Sequence, residues 1–125
     1  MKQPKKLQEK KDERNTTKEQ VTLYETISPL LDSAFDEVKE FSKKKQDASL
    51  NVKKVKIINR LLEKAKELLK KETTIDFLEL LDENELPSNS DAVLVMSQYI
   101  SALRKFHSDH YHSGDWDFGF RGEWD

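Results

Sequence analysis

The chain of 125 residues carries 22 Lys and Arg against 24 Asp and Glu, and its formal net charge is −2. This length suits one domain with a modest core. No run approaches about eighteen apolar residues, and no apolar segment follows the charged start, so we expect neither a membrane span nor a signal peptide. The absence of cysteine excludes disulfides, thiol nucleophiles and cysteine-based zinc sites, and we expect a cytoplasmic protein.

The small net charge conceals a segregated pattern. Residues 39–71 carry twelve basic residues against four acidic ones, whereas residues 72–91 carry seven acidic residues and no basic one. Such a pattern affects the association of a protein with its partners more than its fold.

Residues 1–15 contain Pro4 and few apolar side chains, so we predict a flexible basic arm there. The first helix follows, with Thr16 or Thr17 as its cap and Glu19 or Gln20 three residues later. Its apolar residues recur at steps of three and four, which marks one helix face: Tyr24, Ile27, Leu31, Ala34, Val38 and Phe41. Pro29 indicates either a new helix start or a kink inside a longer helix, and the unbroken spacing favours the kink.

The same spacing predicts two more long helices and a short one. The second long helix follows an Asp47 cap and runs through Val55, Ile58, Leu62, Ala65 and Leu69. Thr73 or Thr74 would cap a short amphipathic helix in the sequence TIDFLELL. Ser88, with Asp91 three residues later, would start the third long helix, which runs through Val93, Met96, Ile100 and Leu103.

These elements predict an all-α fold. Short connections favour an antiparallel bundle of three long helices and one short helix over residues 16–112. Residues 113–125 then form an irregular aromatic and acidic tail.

The second helix has a basic face, formed by Lys53, Lys56, Arg60 and Lys64. Such a face would contact nucleic-acid phosphates. Glu63 and Glu67 interrupt it, however, and lysine outnumbers arginine eighteen to four in the chain. A solvated helix face is therefore the favoured interpretation.

His107 and His110 share a face near the end of the third helix. A histidine pair at this spacing would ligate a metal ion, although a structural site needs four ligands. The alternative is that the two rings close one end of the core, half-exposed to water.

Arg104 and His110 enclose five residues, and this spacing resembles the Arg-x(4 to 6)-His motif of the HEPN family of small helical ribonucleases. The resemblance implies RNA cleavage by Arg104 and His110 in a dimer interface. Other catalytic patterns are missing, since Gly114, Gly119 and Gly122 are the only glycines and form no phosphate-binding loop. We therefore predict a protein that is not an enzyme and that has no cofactor.

The tail contains both tryptophans of the chain, in the sequence GDWDFGFRGEWD. Its large rings and the neighbouring acids are Trp116, Phe118, Phe120, Trp124, Asp115 and Asp117. Such rings need a surface to cover them, which is either the chain's own bundle or a groove with a basic rim on a partner. This acidic tail with aromatic residues resembles the C-terminal tips by which single-stranded-DNA-binding proteins recruit partners.

The sequence thus favours a non-enzymatic protein–protein interaction module, an accessory or regulatory subunit of a larger assembly. The partner would be another protein or a second copy of this chain. A HEPN-like ribonuclease and a nucleic-acid-binding protein are the alternatives, and no membrane is expected.

Overall fold

The computed structural model describes residues 16–112 and 123–124. It contains three α-helices, α1 (Lys18–Lys44), α2 (Val52–Leu68) and α3 (Asn89–His110). A 3₁₀ helix (Thr73–Phe77) lies between α2 and α3, and two short strands, β1 (Tyr111–His112) and β2 (Glu123–Trp124), follow α3. The regular elements of the described residues are thus helices, apart from this two-residue ladder and a single bridge between Ser49 and Ser88, and the three α-helices pack together as predicted.

Helix α1 begins with the predicted cap. The Thr17 hydroxyl accepts a hydrogen bond from the Gln20 N–H, and the Gln20 side chain accepts one from the Thr17 N–H, so that two free donors are satisfied. Pro29 lies inside this continuous helix. The interpretation of Pro29 as a residue within one longer helix is therefore confirmed.

The predicted cap of α3 is confirmed, and that of α2 is wrong. Ser88 accepts a hydrogen bond from the Asp91 N–H at the start of α3. Helix α2 is capped by Asn51, which accepts from the Lys54 N–H, and not by Asp47. The reason is that the backbone around Asp47 bonds to the start of α3 instead, through Ser90 N–H to Gln46 C=O and Asn89 N–H to Ala48 C=O.

Residues 69–88, the connector, differ from the predicted short helix. The 3₁₀ helix covers Thr73–Phe77 only, and the residue before it, Glu72, makes no side-chain cap bond. The helix ends at Leu78, where the backbone is extended. The Asn59 side chain donates to Leu81 C=O and accepts from Leu81 N–H, and the Tyr99 hydroxyl donates to Glu79 C=O at 2.7 Å. These buried bonds satisfy the backbone groups that a helix would have satisfied internally.

The connector determines the direction of α3. It begins near the end of α3, where Glu72 contacts His110, and it ends beside the start of α2, where Leu50 N–H donates to Pro87 C=O. The predicted antiparallel order therefore holds for α1 with each of the other helices. Helices α2 and α3 run in the same direction, because the connector travels back along the bundle before α3 begins.

The core lies between the three helices and the connector. Its largest fully buried side chains come from every helix and include Leu31, Leu62, Met96, Tyr99 and Phe106. The predicted apolar faces supply most of this core, whereas Tyr24, Ala34 and Phe41 are only partly buried. In the part of the chain described here, no helix has both the length and the apolar character needed to cross a membrane.

Candidate functional site

One end of the bundle carries a group of stacked rings, which we call the aromatic cluster. Helix α1 contributes one ring, α3 two, β1 one and β2 one: Tyr24, Phe106, His107, Tyr111 and Trp124. Phe106 is buried in the core and the other four rings are partly buried, so the cluster joins the core to the surface.

Trp124 lies at the centre of this cluster. Its ring meets Tyr24 at 5.1 Å, His107 at 5.2 Å and Tyr111 at 5.2 Å between centroids, each in an edge-to-face arrangement. It also contacts Phe106 at 5.8 Å. Edge-to-face pairs of this kind each add about 0.5–1.5 kcal/mol beyond the burial of area.

The backbone holds Trp124 in the same place. Strands β1 and β2 are antiparallel, with Tyr111 opposite Trp124 and His112 opposite Glu123. The residues that flank the segment 113–122, His112 and Glu123, therefore both lie in this ladder. Part of the tail that was predicted to be irregular thus forms a strand.

Of the tail residues that were predicted to bind a partner, Trp124 is described, and it packs on the chain's own bundle. This contact agrees, for that one ring, with the alternative in which the bundle covers the tail. The other five predicted residues lie outside the described residues: Trp116, Phe118, Phe120, Asp115 and Asp117.

The two histidines of α3 have separate surroundings. The His107 ring stacks on Tyr111 at 4.4 Å between centroids, whereas His110 Nε2 lies 3.2 Å from Glu72 Oε2 and its ring lies against Phe106. Among the residues described, no three His, Asp or Glu side chains form a group that would hold a metal ion. The geometry therefore places His107 in an aromatic contact with Tyr111 and His110 in a pair with Glu72.

Arg104 and His110, the pair that resembles a ribonuclease motif, differ in their surroundings. Arg104 is exposed, whereas the His110 side chain is only 18% exposed and lies beside Glu72. The two residues are six positions apart, which corresponds to about 120° around a straight helix. Helix α3 therefore directs the two side chains away from each other within one chain.

The basic face of α2 is exposed along its length, at Lys53, Lys56, Arg60 and Lys64. Lys64 pairs with Glu67 at 3.7 Å, one turn later in the same helix. Exposed pairs of this kind contribute little and leave the charges in water. The arrangement is that of a solvated face that is available to anionic groups.

Three residues of this region were not predicted from the sequence to belong to a site. Glu72 was predicted only as one acid of a charged stretch, and Phe106 and Tyr111 were not assigned to any site. Phe106 follows Leu103 at a step of three, which is a signal that it continues the apolar face of α3. No local pattern links Glu72 to His110, which lies 38 residues later.

No family model matches this chain, and searches of curated proteins and of solved structures likewise returned no match.

Proposed function

We propose that this protein is a non-enzymatic protein–protein interaction module, an accessory or regulatory subunit that docks to a larger assembly through its aromatic and acidic tail. The observation that supports this function is the position of Trp124. The antiparallel ladder and the aromatic cluster hold Trp124 against the bundle, and with it one end of the segment 113–122.

This anchorage restricts where the tail can bind. His112 and Glu123, which flank the segment 113–122, are paired in the ladder, and a ten-residue chain between two such neighbours can reach at most about 20 Å from them. We propose that its rings, Trp116, Phe118 and Phe120, bind the partner at this end of the bundle. An anchored segment loses less conformational entropy on binding than a free tail does, which favours affinity.

The composition of the segment defines its partner. Its three large rings, with Asp115 and Asp117 on either side of the first and Arg121 directly after the last, fit an apolar groove with a basic rim. Trp124 would serve as the anchor, and the three rings of the segment would make the contacts.

The test separates the three rings from the anchor. The triple variant W116A/F118A/F120A retains Trp124, and we expect it to keep the circular-dichroism melting curve of the parent. Because buried aromatic residues dominate most interfaces, it should bind the partner roughly a hundredfold more weakly. The partner would first be identified by affinity capture from the native cells, and its Kd would then be measured by calorimetry with purified components.

Two controls make this test specific. F77A removes an aromatic ring that is 75% exposed in the connector, and it should leave the Kd unchanged. W124A should lower the free energy of unfolding by about 1–3 kcal/mol, since it removes a partly buried ring. If the triple variant unfolds at a much lower temperature and still binds the partner, the segment serves to cover the bundle and the proposed function is wrong.

A further inference from the structure

A second surface of the molecule is independent of the tail. Helices α1 and α2 form a groove of about 220 Å³, which we call the α1–α2 groove. Its floor is apolar and consists of Ala34, Val38, Phe41, Ile57 and Ile58. The groove lies in the half of the bundle nearer the loop between α1 and α2, away from the aromatic cluster.

Apolar side chains continue from this groove onto the surface. Ile57 lines the groove and is 48% exposed, and Leu30, one turn before Ala34 on the same face of α1, is 53% exposed. Leu61, one turn after Ile57, is partly buried beside the core. The groove and these neighbours form an apolar stripe along two antiparallel helices, and such a stripe indicates an interaction surface.

The two edges of the stripe carry opposite charge. Glu37 lines the groove on the α1 side, and Lys54 lines it on the α2 side, where its Nζ lies 4.2 Å from the centroid of the Phe41 ring. The exposed side chains of Lys53 and Arg60 extend the basic edge on α2. One side of the stripe is therefore acidic at the groove, and the other side is basic.

This arrangement is complementary to itself. Consider a second copy that faces the groove and is related to the first by a two-fold axis parallel to the helices. Helix α1 of each copy then lies over α2 of the other. Equivalent residues of the two copies lie at the same position along the axis. Glu37 of one copy then meets Lys54 of the other, and the exposed apolar residues cover one another. A two-fold axis across the helices would instead place acid on acid and base on base.

We propose that two copies of this chain associate through the α1–α2 groove in this two-fold arrangement. The interface is a layer of four helices whose apolar centre contains Leu30, Ala34 and Ile57 and whose edges carry the pairs between Glu37 and Lys54. This association uses none of the tail residues, so it stands independently of the function proposed above.

The experiment is the solution mass of the full chain. Sedimentation equilibrium over about 1–500 μM should show a monomer–dimer equilibrium. I57E and L30E each place a charge in the apolar centre, and each should weaken the dimer by at least about tenfold while circular dichroism remains that of the parent. The control L94E changes a residue of α3 that is 62% exposed and lies outside the groove, and it should leave the dimer unchanged.

Charge reversal tests the geometry of the pairing. E37K and K54E should each weaken the dimer, because each juxtaposes like charges between copies, and the double variant E37K/K54E should restore it. The triple tail variant should remain dimeric. A parent protein that is monomeric at the highest concentration would overturn the proposal, and so would an I57E variant that dimerises as well as the parent. A double variant that is no stronger than the single ones would overturn the two-fold arrangement.

Discussion

Asn59 determines the path of the connector at the level of a single residue. It is 4% exposed, and its amide makes hydrogen bonds with both the N–H and the C=O of Leu81 at 2.9 and 2.8 Å. Tyr99 makes a similar contact two residues earlier in the connector. Burial, with a smaller contribution from the Glu79 carboxylate, raises the pKa of Tyr99 well above its ordinary value, so its hydroxyl remains a donor to Glu79 C=O.

Asn59 should therefore be one of the residues most sensitive to substitution. N59A leaves two buried backbone groups of Leu81 without partners, and we expect the free energy of unfolding to fall by about 2–4 kcal/mol. Urea denaturation followed by circular dichroism measures this change. The matched control is N84A, at an exposed asparagine of the same connector, which should change the stability by less than about 0.5 kcal/mol. Equal effects of the two substitutions would show that the Asn59 contacts contribute nothing.

For single residues, the sequence shows which residues are unusual. It shows less readily which other residues they contact. Trp124 is conspicuous because both tryptophans lie in the last twelve residues of the chain. Its contacts with Tyr24 and Phe106 depend on the meeting of α1 with α3, and no local pattern contains that information. Asn59 looks like an ordinary polar residue of an amphipathic helix until the connector is placed beside it.

The helix ends show how far local chemistry predicts each element. Thr17 caps α1 and Ser88 caps α3, as predicted. Three residues after each cap, the N–H of Gln20 or of Asp91 donates to the capping hydroxyl, and the Gln20 side chain also bonds back to Thr17. Asp47 is an equally good capping residue by composition. It is not used, because the backbone on either side of it is bonded to the start of α3.

The choice between the two capping residues of α2 can be measured. N51A removes the acceptor for the Lys54 N–H and should cost about 1 kcal/mol of stability. D47A removes an exposed carboxylate outside the helix, and we expect a change within about 0.5 kcal/mol. Thermal unfolding of both variants at one pH provides the comparison. A larger loss for D47A than for N51A would place the start of α2 where the sequence alone predicted it.

The connector was the least predictable element. The sequence TIDFLELL has the apolar spacing of a helix, but only its first part adopts one, as a 3₁₀ turn. Leu78 and Leu81, three residues apart, are both buried after this turn, where the Asn59 and Tyr99 side chains bond the connector backbone. Asp82 then forms a tight turn, in which the N–H groups of Glu85 and Asn84 hold the pKa of its carboxyl below the usual value.

For the molecule as a whole, amphipathic spacing predicted the number of helices and their buried faces. The assumption of short connections, in contrast, gave the wrong relative direction for α2 and α3. A short connection does make α1 and α2 antiparallel. The second connection is long enough to return along the bundle, so α2 and α3 run in the same direction. Spacing within a helix is a local property, whereas the direction of α3 depends on contacts such as Asn59 with Leu81, 22 residues apart.

This topology predicts that the chain can be divided in the connector. The turn at 82–85 is exposed, and α3 packs mainly on α1, so a fragment of residues 84–125 should reassemble with a fragment of residues 1–83. Mixing the two should increase the helical circular-dichroism signal above the sum of the separate fragments. M96D in the second fragment places a charge at a fully buried position and should prevent reassembly. Fragments whose signals remain strictly additive would contradict the prediction.

The shared direction of α2 and α3 also makes the molecule electrically polar. Each helix carries the equivalent of about half a positive charge at its first turn and half a negative charge at its last turn. Helix α1 offsets only one of the other two helices, so the end with Asn51 and Ser88 is the positive pole of the three helix dipoles, and Lys44, Lys45 and Lys54 lie around it. An acidic surface would therefore attract that pole first. The molecule would approach such a surface with its aromatic cluster facing outward.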